Sequence, residues 1–577
     1  DEGTGLIVDN KGAAGSDHDG TLSATGTTWA GAGDFNGTVD MSSGSTSTNY
    51  NNSTKLIMNG AGKSLNYISG EILPHLNIAN TSGTITANVI SGTNNLTVAS
   101  LTTEGGSSEF TAPAGTLTIT SENSDGMAFE LGAYNSPDPS TYKHGNGTVT
   151  INNHSAPAIH AVLVSGQSTA TDGLYNVIID GANTKASTYS GTNATYIYNN
   201  FTVTNGNLKV NGATNTFTVR GDCLVSAGNM FNTGNAPTGA HSYGSLTLAG
   251  SSTYKATSGD TTITGVGTIG AGTNPYIINF GTSSTFTHSN GTIIDNVSKN
   301  HHFYNGTADD LKHFTLHPGN GSDVYMASGT ATTTPMNFTG NVTITTGHMR
   351  GNSAGQYVTI AGNLDIAASS DATYSGYTGT HNIGGITVGN AGTFNCPTSE
   401  GTLNITGGAN ITANRCMKIS TTGNFNHNNG TINVTGTDWG GSAYAHLWVP
   451  DNFNFGNVTI NAGGADSKYY QFREGSGTMF FNNVYLKSGE FRDYNNNNTI
   501  HIRGNLDIGT RGAGGTNASF LGSDARDNAY TTKVIVDGIV TNYTNGQFHV
   551  AYGTDGTDGC KIGGLRNTGG TVYGDTA

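Results

Sequence analysis

The chain has 577 residues, of which 86 are glycine, 34% are hydrophobic and only 11% are charged, with a formal net charge of −15. A single compact core stops growing below this length, so the chain must be several domains or one elongated repeat. The acidic balance contains no basic run to meet phosphates, and no stretch of about 18 apolar residues occurs, which argues against a nucleic-acid partner and against a helix inserted in a membrane.

The first residues are Asp1-Glu2-Gly3-Thr4-Gly5, followed by Asp9, Asp19-Gly20-Thr21-Leu22 and Trp29. This stretch, residues 1–29, resembles the start of a concanavalin A-like, LamG-type jelly-roll, and the resemblance implies the first strands of a sugar-binding sandwich. The opening pentapeptide reads like mid-domain sequence, so further residues are expected upstream, although no signal peptide is visible. Residues 1–141 as a whole read as a divergent β unit, with alternating runs such as Gly115-Thr116-Leu117-Thr118-Ile119-Thr120.

From residue 142 onward the sequence repeats. His144-Gly145-Asn146-Gly147-Thr148 returns as His288-Ser289-Asn290-Gly291-Thr292 and as His427-Asn428-Asn429-Gly430-Thr431, at offsets of 288 − 144 = 144 and 427 − 288 = 139. Arg220-Gly221-Asp222 returns as Ala361-Gly362-Asn363 and Arg503-Gly504-Asn505, at glycine offsets of 362 − 221 = 141 and 504 − 362 = 142. Asn200-Phe201, Asn341-Val342 and Asn483-Val484 keep the same spacing. These landmarks define three units, 142–285, 286–424 and 425–577.

Inside each unit, short runs alternate Val or Ile with Thr or Asn and end on Gly or Asn. Alternation puts the apolar residues on one face of a strand, and Gly and Asn supply the positive φ that tight corners need. No capped amphipathic helix stands out. The pattern predicts an all-β, right-handed parallel β-helix of coils of about 23 residues, with tandem antiparallel β-sandwiches as the alternative.

Phrases such as Gly340-Asn341-Val342-Thr343-Ile344 and Gly362-Asn363-Leu364-Asp365-Ile366 resemble those of β-helical virion fibre and appendage proteins of tailed bacteriophages, and of secreted bacterial adhesins with haemagglutinin-like repeats. The resemblance implies an extracellular, non-enzymatic structural or adhesive rod on a virion or cell surface. It also implies self-association as a trimer or filament; contact with cell-surface glycans is expected from the aromatics named below. A bacterial or archaeal surface adhesin or filament subunit is the second reading, and a carbohydrate-active β-helix enzyme the third.

Catalytic chemistry has few candidates. Asp309-Asp310 and the pair Asp524 and Asp527 are the densest carboxylates a glycosidase would need. His301-His302 and His313 with His317 lack a metal-binding spacing, and the periodic His144, His288 and His427 read as structural corner residues. No cofactor is expected, although Asp17-His18-Asp19-Gly20 and Asp555-Gly556-Thr557-Asp558-Gly559 have the oxygen-rich look of calcium loops. Cys396 and Cys416 lie about one coil apart, close enough either to pair or to remain buried thiols, and Cys223 and Cys560 read as unpaired. The Asn-X-Ser/Thr sequons are no more than this composition yields by chance. Trp439, Trp448, Tyr469 and Tyr470, with Phe472, are the candidate glycan-contacting aromatics, since a broad ring stacks on a sugar while its polar tip stays wet.

Overall fold

The computed structural model describes Val39–Asp40 and, with interruptions, residues 55–573; gaps of five residues or more fall at 133–137, 154–158, 164–168, 189–193, 328–335, 352–356, 462–468, 511–517, 524–531 and 550–559. The LamG-like stretch, both calcium-type loops and the pair Asp524 and Asp527 therefore lie outside the described residues. The chain divides into two compact units, Asp1–Gly291 and Thr292–Ala577. Each is a parallel β-solenoid, and the described residues contain no α-helix.

A coil has three sides. In the first unit, Ile85–Ser91, Leu96–Val98 and Leu101–Thr103 form one turn of the solenoid. Phe110–Thr111, Thr116–Ile119 and Phe129–Glu130 stack on them side by side in parallel register. In the second unit, Met336–Phe338 and Val342–Ile344 lie under the two halves of Val358–Ile366, and His348–Gly351 lies under Thr373–Ser375. The ladders between described strands are parallel, which rules out the antiparallel sandwich alternative.

Period-two patterning explains the core. Along Val358–Ile366 the burial alternates, with Val358, Ile360, Leu364 and Ile366 inside and Thr359 and Asp365 partly exposed. Each buried aliphatic side chain contributes roughly 1.5–3 kcal/mol of transfer free energy, and each coil covers the apolar floor of its neighbour. The coils are less even than the sequence rhythm suggests. Steps range from 76 − 56 = 20 residues between Leu56 and Leu76 to 540 − 506 = 34 between Leu506 and Val540. Most of the additional residues lie between strands, although the ladders also shift register within some strands, as between Ile360 and Asn363 and between Val219 and Asp222.

The repeated landmarks turn out to be the corner chemistry. Asn200, Asn341 and Asn483 each accept, through Oδ1, the backbone N–H of the residue one coil on, at Asp222, Asn363 and Asn505; the distances are 2.8, 3.0 and 2.9 Å and each step is 22 residues. A corner amide that the strand ladder cannot satisfy is thereby paired, worth about 1 kcal/mol each. The glycine beside each acceptor is also explained: a Cβ on Gly221, Gly362 or Gly504 would sit 2.5, 2.2 or 2.2 Å from that same asparagine Oδ1.

The histidine phrase is a tight turn. His144, His288 and His427 accept through the backbone carbonyl the N–H of Gly147, Gly291 and Gly430. The two central residues of each turn have positive φ, as a type I′ turn requires: Gly145 and Asn146, Ser289 and Asn290, Asn428 and Asn429. Each imidazole locks its own turn, with Nδ1 accepting the N–H of Asn146, Asn290 or Asn429 at 2.8, 3.1 and 3.1 Å. The three periodic histidines are thus corner residues, as their spacing suggests.

Candidate ligand-binding groove

The second unit carries an open groove of about 630 Å³ between two successive coils. One wall is the strand Asn424–Asn426 and the histidine turn that follows it, and the other is the segment from Pro450 to Asn454. The floor is aromatic: the Phe425 and Phe453 rings meet at 5.0 Å, with Phe453 buried and Phe425 half-buried. Both walls are built rigidly. Asn428, Asn429 and Asn452 all hold positive φ, at 48°, 57° and 60°.

Side-chain bonds fix several of these groups. The Asn428 amide donates to the Cys396 carbonyl at 2.8 Å, and that of Asn426 donates to Asn395 Oδ1 at 2.6 Å. The Asn454 side chain lies 3.3 Å from His427 Nε2 and accepts the Gly456 N–H at 3.1 Å, so the two walls are tied to each other. Burial pushes the His427 pKa down, which keeps the ring neutral and its Nδ1 free to accept. Asn424, Asn429, Asp451 and Asn452 are exposed at the rim.

The aromatics singled out from the sequence do not form this site. Trp439 is fully buried, so its ring is a core element and not an exposed stacking face; Gly436 packs directly against the indole, leaving no room for a Cβ there. The proximity of Trp439 to other aromatic residues in the sequence carried no signal for this burial. Trp448 is half-buried beside His446 at 5.1 Å, with the Lys418 ammonium 5.7 Å from its ring. Tyr469 and Tyr470 lie in the strand Tyr469–Phe472, which pairs with Tyr444–Trp448; their side chains lie outside the described residues.

The remaining candidates resolve into coil-stacking contacts. Asp309 lies in a turn where its N–H meets Thr307 Oγ1 and its carbonyl accepts from Asn305, with Asp310 half-buried beside it. His301 is fully buried and paired with Asp295 at 2.7 Å, while His302 packs on Tyr325 at 5.2 Å. His313 Nδ1 accepts the Asn341 N–H, and His317 Nδ1 meets Thr345 Oγ1. Cys223, Cys396 and Cys416 are buried free thiols, Cys560 is a partly buried one, and burial raises all four pKa values; Cys396 and Cys416 do not pair. Among the described residues no three His, Cys, Asp or Glu side chains come together as a metal site. No helix of the described residues is long and apolar enough to cross a membrane.

The sequence missed the groove because its residues are ordinary for this chain. Asn424-Phe425-Asn426 and Asn452-Phe453-Asn454 are the same Asn-Phe-Asn tripeptide at a spacing of 452 − 424 = 28 residues, and that duplication is the signal that could have found it. No known protein family, curated protein or solved structure matches the chain.

Proposed function

We propose that the chain is a non-enzymatic structural and adhesive scaffold of an extracellular assembly, with a virion fibre or appendage as that assembly and self-association as its mode of use. One observation carries this reading: what the repeat preserves is architecture. The histidine turns, the asparagine acceptors and the close-packed glycines recur at the 140-residue period; the histidines lock corner turns and the asparagines tie one coil to the next. A chain selected for a reaction keeps one constellation of acids, bases or nucleophiles, whereas a scaffold keeps the element that lets it extend. Low charge and dense backbone pairing also suit a protein exposed to proteases.

Cryo-EM of the native particle that contains the chain tests the proposal. Density in a fibre or appendage of a virus particle is the expected result. Density in a cell-attached filament overturns the virion assignment, and a dispersed protein that depolymerises a polysaccharide overturns the scaffold reading itself.

A further inference from the structure

We propose that the groove between the 427–430 turn and the 450–454 segment binds a neutral oligosaccharide. This deepens the adhesive reading above and rests on it.

The chemistry of the walls selects the ligand class. The lining contains neither lysine nor arginine, and its one carboxylate, Asp451, is exposed at the rim. The chain as a whole carries a formal charge of −15. Phosphate, sulfate and uronate groups would therefore approach against repulsion with no cation to receive them. Asparagine side chains suit hydroxyl groups instead, because each amide offers two donors and an acceptor, and a sugar hydroxyl both donates and accepts. The groove repeats that amide along both walls.

The floor supplies the other half of sugar recognition. The half-buried Phe425 ring lies in the groove, where the apolar C–H face of a pyranose can cover it. The ring is held between Phe394 at 5.6 Å and Phe453 at 5.0 Å, so little side-chain entropy remains to be lost on binding. A volume of about 630 Å³ is within the range of small-ligand sites and fits a short oligosaccharide. An amphipathic peptide helix would call for a larger apolar trough than one partly covered ring provides.

The backbone that carries these amides is set before any ligand arrives. Asn429 and Asn452 stand in positive-φ conformations, and the first is pinned by the bond from its N–H to His427. Those same conformations give a clean experiment. Glycine accepts positive φ without strain, so Asn429→Gly and Asn452→Gly delete the amides and keep the backbone.

The test uses the full chain on an array of short neutral oligosaccharides, beside the same backbones bearing sulfate or uronate. Wild type is expected to bind neutral members and not the acidic ones. The Asn429→Gly/Asn452→Gly double variant is expected to lose about tenfold or more in affinity with its thermal midpoint unchanged. Asn424→Ala, at an exposed strand position on the same wall as Asn429, provides a second readout and is expected to weaken the same ligands. Unchanged affinity in both variants overturns the site. Preference for acidic members overturns the ligand class. Failure of all glycans, with the chain still found in its extracellular assembly, overturns the groove and leaves the scaffold reading standing; glycan binding by a chain outside any assembly does the reverse.

Discussion

The two units fill the inside of the same kind of coil with differently arranged rings. In the first, Phe217 sits in a branched knot, meeting Phe201 at 5.4 Å, Phe231 at 5.2 Å, His241 at 6.2 Å and Tyr243 at 6.3 Å. In the second, rings run in single file from Tyr374 through Phe394 and Phe425 to Phe453, with Tyr374 and Phe394 nearly parallel at 12° and Phe394 and Phe425 at 6°. The knot contains polar tips: the Tyr243 hydroxyl lies 3.3 Å from both His241 Nδ1 and the Tyr254 hydroxyl. The column is apolar apart from its first ring, whose hydroxyl meets His381 Nδ1 at 2.5 Å. His241 and His381 are repeat equivalents, at 381 − 241 = 140. One inward position thus tolerates a buried imidazole in both units, provided that a tyrosine reaches it, even though the partner comes from a different strand each time.

The largest expected effect comes from breaking the knot. Phe217→Ala opens a cavity against four side chains, and Phe394→Ala opens one against the two rings above and below it. Large-to-small aromatic substitutions in cores cost about 3–5 kcal/mol. Phe217→Ala is expected at the upper end of that range and Phe394→Ala at the lower, read as separate shifts of the two units' transitions in calorimetry. Equal shifts would mean that a single-file stack is as cooperative as a branched one.

Acid gives the next largest effect, and its sign differs from one buried histidine to another. Burial holds the His241 pKa down to about 3 and that of His381 to about 4, against about 6.5 in an unfolded chain. Both rings stay neutral when folded, while the unfolded chain takes up a proton below that ordinary value. Stability from these sites is full above about pH 6.5 and falls as pH drops toward 4, by roughly 3 kcal/mol per histidine at that point. His301 works the opposite way. Burial alone would lower its pKa, but attraction to Asp295 and the bonds to Asp295 and the Lys299 carbonyl outweigh that and raise it. Its contribution is complete below the ordinary value and is lost as pH rises through the raised one. Hydrogen exchange between pH 7 and pH 4 should therefore show the strands around His241 and around His381 opening in acid, while those around His301 stay closed. The double variant His241→Leu/Tyr243→Phe, which removes both polar partners, should flatten the acid slope of the first unit only; an unchanged slope would assign acid lability elsewhere.

Much of the architecture was legible in the sequence because a solenoid writes its corners periodically. Alternation predicted the strands, and the Gly-Asn and His-x-Asn-Gly phrases predicted corners, since only certain residues fit positive φ or a close backbone approach. The inner column was less legible: Phe394 and Phe425 are 31 residues apart, a step set by corner insertions that no fixed period anticipates. The site was least legible of all. Trp439 looked like a sugar platform because tryptophan chemistry suits one, yet burial depends on which side of the coil a residue faces. Asn424 and Asn452 looked like two more solvated asparagines because nothing local marks them as opposite walls of one groove.

The smallest effect sharpens the comparison at a corner. Asp222 and Asn363 occupy equivalent places, and each holds a segment that returns from two coils further along. In the first unit the Asp222 carboxylate accepts the Thr268 N–H at 2.9 Å, the Ile269 N–H at 3.1 Å and the Ser245 hydroxyl at 2.8 Å. In the second, the Asn363 amide donates to Thr412 Oγ1 at 2.7 Å and accepts the Thr412 N–H at 3.4 Å. The carboxylate receives only donors, so ionisation strengthens every bond it makes. Asp222→Asn removes that charge and turns one end of the side chain into a donor facing donors, at a cost of about 1–2 kcal/mol. Asn363→Asp keeps an acceptor for the Thr412 N–H and can still accept from the hydroxyl, so it should cost well under that. Exchange at the Thr268 and Ile269 amides should accelerate in Asp222→Asn by about tenfold, while the Thr412 amide in Asn363→Asp should change little. If both amides respond alike, geometry rather than charge holds the returning segment, and the aspartate of the first unit is interchangeable with the asparagine of the second.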